Sequence, residues 1–148
     1  MNIFRKNKQN IVMVTEIQLE KITEYAKGVT VYIDGEKTAY AVGESRFNEI
    51  CTEWNNMLFG AHEMPAYGVS LNRETEREMK SGVWVEFDFK QTLSSNGMPY
   101  EKLLVKASAD WYGFNIIRYT SKHGYDGRCF YYDLVNKTMS DFYNCLIK

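Results

Sequence analysis

Two histidines and three cysteines are the side chains from which metal or nucleophilic chemistry would have to be built. His62-Glu63 begins like the zinc-protease signature, but that signature needs a second histidine at position 66, which is Ala66. His62 and Glu63 could still act as acid/base groups. Residues 60–68 are therefore a candidate pocket for a small molecule or for a hydrolytic reaction. No metal-ligand spacing or cofactor motif occurs in the sequence. We therefore predict no metal, no cofactor and no catalytic residue as the first interpretation.

Cys129 and His123 lie six residues apart and are the residue types of a nucleophile and its activating base. Cys129 is also surrounded by apolar residues of a predicted strand, where a cysteine usually packs as a small hydrophobe. Packing is therefore the prediction for this thiol.

Glu86 and Asp88 alternate on one face of another predicted strand and could form an acid/base pair. Strands with this alternation usually turn one face to water. We therefore expect both carboxylates on a solvated sheet face.

Residues 110–132 concentrate aromatic and basic side chains and are the best candidate for a recognition surface. Trp, Tyr and Arg often carry binding energy at protein interfaces, and the same mixture on a sheet can stack single-stranded bases. Packing within strands would use the aromatic residues equally well. The predicted protein-binding residues are Trp111, Arg118, Lys122, His123, Tyr125 and Arg128.

These residues belong to a back half in which apolar and polar residues alternate with the period of strands. Breaks rich in glycine or polar residues separate the segments. The predicted strands are 83–89, 102–107, 114–119 and 128–133, with loops at 90–99 and 120–127.

The front half predicts two helices with a hairpin between them. Thr15 begins a capping-box pattern, which predicts a helix ending near Gly28. Asp34-Gly35 lies between two alternating segments and favours a hairpin turn. From Ser45 onward, apolar residues recur with helical spacing up to Leu58, which is typical of a helix packed on a sheet. Further helices are predicted from Asn72 and after Thr138.

These elements predict a single α+β domain over residues 1–148, in which a two-layer arrangement places helices mainly on one face of an antiparallel sheet. The sheet would consist of the hairpin and a four-stranded meander. Residues 1–10 are polar and basic, and we expect a flexible arm there. The order of helix, hairpin, helix and meander is similar in layout to small bacterial immunity and antitoxin proteins, which implies a protein partner.

Charge and cysteine usage limit the compartment and the partners. The chain has 18 basic and 19 acidic residues, a balance that disfavours a domain built to neutralise many phosphates. Three widely spaced cysteines do not resemble a disulfide framework. No apolar run approaches the roughly 20 residues that span a bilayer or the roughly 7–15 of a signal peptide core. We expect a cytoplasmic protein without a membrane partner.

Three functions remain open at the level of sequence. The first is a non-catalytic module that binds another protein, either immunity/antitoxin-like or regulatory. The second is a small-molecule-binding or hydrolytic protein with the pocket at residues 60–68. The third is a single-stranded nucleic-acid binder that uses the sheet aromatics, which the near-neutral charge makes the weakest of the three. A homo-oligomer is compatible with each of them.

Overall fold

The computed structural model describes residues 2–6, 11–65 and 68–148, and for residues 2–6 and 11–13 it describes the backbone. The helices are α1 (Ser45–Leu58), α2 (Asn72–Glu78) and α3 (Ser140–Leu146), and a 3-10 helix spans Leu19–Glu24. The strands are β1 (Asn2–Lys6), β2 (Ile11–Glu16), β3 (Gly28–Ile33), β4 (Glu36–Ala41), β5 (His62–Met64), β6 (Val69–Ser70), β7 (Val83–Ser95), β8 (Met98–Ala107), β9 (Gly113–Tyr119), β10 (Gly127–Arg128) and β11 (Phe130–Asp133).

Within the described residues, nine of these strands form one sheet, and β6 pairs separately with β10. All described pairs are antiparallel except β2 with β7. The main path runs β1-β2-β7-β8-β9-β11-β5, and the β3–β4 hairpin joins it through β3 and β7. The fold is therefore the predicted α+β class, a sheet with helices mainly on one face.

The long strand β7 organises the sheet because it pairs along both of its edges. Its first half pairs with β3 and its second half with β2, while β8 follows it on the other side. The register shifts between Asp88 and Leu93, and Lys90 there has a positive φ of 51°. This irregularity lets one strand serve two neighbours on the same edge.

The helix-covered face holds the main hydrophobic core. Trp54 of α1 is fully buried and makes edge-to-face contacts with Phe87, Phe114 and Phe142 at centroid distances of 5.1, 5.6 and 5.6 Å. The predicted apolar stripe of α1 is thus confirmed, since its members from Phe47 to Leu58 belong to this core.

The other face of the sheet has a second, smaller apolar cluster of Trp84, Leu104 and Tyr125. Met79, at the end of α2, packs against it. Asn72 at the start of α2 accepts a hydrogen bond from the Tyr125 backbone N–H at 2.8 Å. This face is therefore covered by α2 and the β9–β10 connection, which hold one another.

Two sequence predictions for the front half meet different outcomes. Asp34-Gly35 forms the turn of the β3–β4 hairpin, with positive φ at both residues, as predicted. The helix predicted from Thr15 is wrong, because Thr15 pairs with Leu93 in the sheet and the helical residues begin at Leu19 as a short 3-10 helix. A flexible arm was expected at residues 1–10. Of these, residues 1 and 7–10 lie outside the described residues, and residues 2–6 form β1.

In the back half, the loop predicted over residues 90–99 is wrong. β7 continues to Ser95 and β8 begins at Met98, so the two strands are joined by the tight turn Asn96-Gly97. Both turn residues have positive φ, 52° and 76°, which is the geometry of a two-residue hairpin loop.

Candidate functional site

The predicted protein-binding residues do not share one surface. Arg118 is half-buried and donates from Nε to the Arg128 carbonyl and from Nη1 to the Pro99 carbonyl, both at 2.8 Å. Tyr125 is buried. Both side chains therefore tie loops to the sheet.

The remaining members of that predicted set lie at separate places. Lys122 and His123 are exposed in the tight turn between β9 and β10, where the His123 N–H is donated to Thr120 Oγ1 at 3.2 Å. Arg128 is exposed in β10, opposite Val69 of β6. Trp111 lies in the β8–β9 connection and is 41% exposed. The structure thus separates Trp111 from the other exposed members.

Cys129 is buried, and burial raises the pKa of its thiol above the usual value. The predicted burial of this thiol is thus present, although Cys129 belongs to neither apolar cluster of the described residues. His123 is exposed in its turn, so the two residues of the nucleophile hypothesis occupy different environments.

Glu86 is not on a solvated face, and that prediction is wrong. Its residue is 4% exposed, and its carboxylate accepts hydrogen bonds from the Tyr125 hydroxyl at 2.5 Å and the Tyr32 hydroxyl at 3.3 Å. Burial raises the pKa of Glu86, against the hydrogen bond from Tyr125 and the charge of Lys102, which lower it. Burial beside this carboxylate also raises the pKa of Tyr32 to about 12. The group is a polar anchor for the β9–β10 connection.

His62 and Glu63 do not converge, because successive side chains of a strand point to opposite faces. In β5, His62 pairs with Asp133 and Glu63 pairs with the buried Tyr132. The structure therefore does not assemble these two side chains into one acid/base pair.

Glu63 instead lines a cleft that we call the acidic cleft, with a volume of about 630 Å³. Glu20 accepts a hydrogen bond there from the Tyr132 hydroxyl at 2.8 Å, and Asn96 donates to Glu63. Burial raises the pKa of Glu63, and the nearby charge of Glu20 adds to the increase. The cleft is lined by Glu16, Ile17, Gln18, Leu19, Glu20, Glu63, Ser95 and Asn96. Among the described residues, no group of potential ligands is arranged to hold a metal ion.

A second cleft, shallow and widely open to solvent, with a volume of about 580 Å³, lies where β9 and β11 meet the β8–β9 connection, and we call it the aromatic cleft. Trp111 and Tyr112 at its rim are 41% and 64% exposed, although both are large aromatic residues. The cleft is lined by Asp110, Trp111, Tyr112, Gly113, Phe114, Asn115, Tyr131 and Asp133.

The backbone fixes the two exposed aromatic residues in place. The Trp111 carbonyl accepts the Met139 N–H at 2.9 Å, and the Tyr112 carbonyl accepts the Leu134 N–H at 2.8 Å. Both bonds connect the β8–β9 connection to the segment that leads into α3. The backbone of both rim residues is therefore held against the segment that leads into α3.

Strained and tightly packed backbone surrounds this rim. Val135 and Asn136 have positive φ of 52° and 60°, and a β-branched residue rarely adopts this conformation. At Gly113, an added Cβ would lie 2.3 Å from the Tyr131 hydroxyl, so only glycine lets that ring cross β9. Such local costs are typical of segments whose conformation is needed for a function.

Two carboxylates, Asp110 and Asp133, give the aromatic cleft its charge. Asp110 accepts a hydrogen bond from Ser108 Oγ at 3.2 Å, and Asp133 accepts one from the Val135 N–H at 3.0 Å. In the described part of the chain, neither forms an ion pair. Lys106 Nζ lies 6.0 Å from the Trp111 ring centroid.

Sequence reasoning found Trp111 but did not single out Tyr112 or the two aspartates. One signal was present: Asp110, Trp111 and Tyr112 are consecutive in a segment between strands. Two large aromatic residues next to a carboxylate outside the predicted strands marked this connection as a place where an aromatic ring could be exposed.

No family model matches this chain, and no curated protein or solved structure was found to match it. None of the helices in the described residues has the length and apolar character needed to cross a membrane.

Proposed function

We propose that this chain is a non-catalytic protein-binding module, regulatory or immunity/antitoxin-like, and that a segment of its partner enters the aromatic cleft. The observation that carries the proposal is the exposure of Trp111 and Tyr112 side by side at the rim of a cleft. Burial of a whole aromatic side chain removes about 150–250 Å² from water, and a partner could still cover the exposed fractions of these two, 41% and 64%. Exposed aromatic pairs with a polar rim are typical of interfaces.

The fixed backbone of the two aromatic residues supports the same proposal. Their carbonyls are hydrogen-bonded to Leu134 and Met139, so association would order little additional backbone. Binding energy is otherwise reduced by the cost of immobilising loops and side chains. A preorganised rim of this kind favours recognition of one partner surface.

We also propose that the protein works in the cytoplasm. Its three cysteines are free and buried. Unpaired thiols of this kind are typical of a reducing compartment.

The test is site-specific photocrosslinking in the native cells. Tyr112 is replaced by benzoylphenylalanine in one variant, and Val42 in a matched control. Val42 is 59% exposed and lies after β4, at a different edge of the sheet. We expect one protein to be captured through position 112 and not through position 42.

The captured protein is then purified and titrated against defined variants. Trp111→Ala and Tyr112→Ala are each expected to weaken its binding at least tenfold, since central aromatic residues dominate interfaces. Val42→Ser should leave the affinity unchanged. Equal capture through both positions, or full affinity of Tyr112→Ala for the purified partner, would show that the aromatic cleft is not the binding surface.

A second candidate function is binding of a small cationic molecule in the acidic cleft. It is favoured by the carboxylates of Glu20 and Glu63, whose mutual repulsion a cation would relieve. A thermal-shift screen with polyamines and amino-sugar ligands tests it. Stabilisation that Glu63→Gln removes would support the candidate, and identical shifts in the variant would reject it.

A further inference from the structure

We infer that the aromatic cleft is a receptor for an arginine side chain of the partner. This inference rests on the proposed function, because it names the group that the proposed binding site takes. It follows from the combination of aromatic rings and carboxylates that line the cleft.

The aromatic part of the lining favours a flat cation. Trp111, Tyr112 and Tyr131 all line the cleft. A guanidinium group is planar and weakly hydrated, and it stacks on aromatic faces with little loss of solvation. An ammonium group is more strongly hydrated and gains less from such a surface. The rings therefore favour arginine over lysine.

The carboxylates supply the counter-charge. Asp110 and Asp133 line the same cleft and form no ion pair within the described residues. A guanidinium carries five N–H donors that match carboxylate oxygens in a two-bond geometry. One arginine side chain could thus stack on a ring and donate to a carboxylate at the same time.

The same end of the molecule already pairs a cation with aromatic rings. Lys106 Nζ lies 5.6 Å from the Trp84 ring centroid and 6.0 Å from that of Trp111. Both distances are within the range at which a ring attracts a positive charge. Lys106 does not line the cleft, so the charge of the lining itself is negative.

The lining also opposes an anionic occupant. A phosphate or carboxylate in the cleft would face Asp110 and Asp133, and none of the described residues that line the cleft is basic. Like charges at close range disfavour binding. A nucleic-acid backbone or an acidic peptide is therefore a poor fit to this cleft.

The test uses three fluorescent pentapeptide pools and the full chain. The central residue is arginine, lysine or citrulline, and the four flanking positions are an equal mixture of Gly, Ala, Ser and Leu. Citrulline has nearly the shape of arginine but no charge. Fluorescence polarisation measures binding, and we expect the arginine pool to bind at least tenfold more tightly than the citrulline pool.

Protein variants identify the groups responsible. Asp110→Asn with Asp133→Asn keeps the local acceptors for Ser108 and Val135 but removes both charges. We expect this pair to weaken arginine-pool binding at least fivefold. The control, Glu24→Gln with Glu36→Gln, removes two exposed charges outside the cleft and should bind as the wild type does.

The outcomes separate this inference from the proposed function. Binding of arginine and citrulline pools within twofold of each other, or equal effects of the two double variants, would overturn the arginine inference. If Tyr112→Ala nevertheless abolishes binding of every pool, the protein-binding function stands without it. Absence of binding by all pools also overturns the arginine inference, and the crosslinking at position 112 then decides the proposed function independently.

Discussion

The two faces of the central sheet are stabilised by different chemistry. On the helix-covered face, Trp54 packs edge-to-face against three phenylalanine rings with hydrocarbon on all sides. On the opposite face, the small cluster around Trp84 and Leu104 encloses the carboxylate of Glu86. One face is therefore held by apolar burial and the other by apolar burial combined with a buried charge.

The difference teaches how each face responds to change. Apolar burial has no required direction, so neighbouring side chains can adjust in part when one is altered. A buried carboxylate depends on particular donors, here the hydroxyls of Tyr125 and Tyr32. Loss of one donor leaves a buried carboxylate oxygen without its hydrogen bond, and surrounding apolar side chains cannot replace that bond. The second face should thus be more sensitive to the loss of single atoms.

The largest effect is expected on the apolar face. Trp54→Ala should lower the free energy of unfolding by about 3–5 kcal/mol, because it removes the ring at the centre of the core. Urea denaturation followed by circular dichroism measures this change. Trp54 Nε1 has no hydrogen-bond partner within the described residues, so Trp54→Phe should cost clearly less. Equal losses for both variants would contradict the account of a core held by ring contacts.

A smaller but atom-specific effect is expected on the other face. Tyr125→Phe removes one oxygen and its 2.5 Å hydrogen bond to Glu86, and we expect a loss of about 1.5–3 kcal/mol, the range for bonds to charged groups. Tyr32→Phe is the matched control, since its bond to Glu86 is longer at 3.3 Å and its side chain is half-buried. Urea midpoints that fall equally in the two variants would refute a dominant role for Tyr125.

The buried charge also predicts a dependence on pH. Burial raises the pKa of Glu86 above its unfolded value of about 4.3. Its contribution to stability is therefore fully present below the unfolded pKa and is lost as pH rises through the folded pKa. Glu86→Gln does not titrate, so the stability of the wild type relative to this variant should fall with increasing pH. Urea unfolding between pH 4 and 8 measures it, with Glu36→Gln as the charge control, and a difference that is flat or rises with pH would contradict the prediction.

The smallest effect is expected from Lys102 at the rim of the second face. Its Nζ lies 5.0 Å from the centroid of the Tyr119 ring, and its charge lowers the pKa of Glu86. Lys102→Gln should cost about 0.5–1 kcal/mol, the range for an exposed cation–π pair. Thermal unfolding at low and high salt tests it. Lys102→Arg keeps the charge and should restore most of the loss, which distinguishes charge from packing.

The contrast between the faces also explains what the sequence could predict. Alternation placed Val85 and Phe87 on the inner face correctly, and the helical stripe identified the element that covers them. The same alternation put Glu86 on a face toward water. That face is covered by α2 and by the β9–β10 connection, whose positions depend on long-range contacts such as Tyr125 with Glu86. The alternation of apolar and polar residues alone does not reveal that other segments cover the second face of the sheet.

Two predictions from local sequence signals were wrong because strand pairing determines the structure at those positions. The capping-box pattern at Thr15 was overridden because pairing with Leu93 uses that residue in the sheet. Asn96-Gly97 is a strong hairpin signal, but it lay inside the predicted loop of ten residues, where the alternation of the preceding strand is lost at Gln91. The irregularity at Lys90 belongs to a continuous strand, which only the pairing with β2 and β8 makes evident.

The sequence predicted the kind of site better than the residues that form it. Concentrated aromatic and basic residues suggested recognition, and Trp111 is exposed at the aromatic cleft. Arg118 and Tyr125 also belong to the residue types that are common at interfaces, but in this structure they form internal hydrogen bonds. Composition does not distinguish a ring that faces a partner from one that holds a loop. That distinction depends on which segments fold over the sheet.

The parallel pairing of β2 with β7 affects how the chain can be assembled during synthesis. Ser95 Oγ donates to the Ile17 carbonyl at 2.7 Å, and 78 positions separate the two residues. At a translation rate of about 5–20 residues per second, roughly 4–16 s pass between the synthesis of these residues. The β3–β4 hairpin can form early. The edge of β3 that faces away from β4, and strand β2, can pair only after β7 has been synthesised. Until synthesis has passed Ser95, β2 therefore lacks the β7 neighbour that it has in the folded sheet, and its edge stays open to other strands.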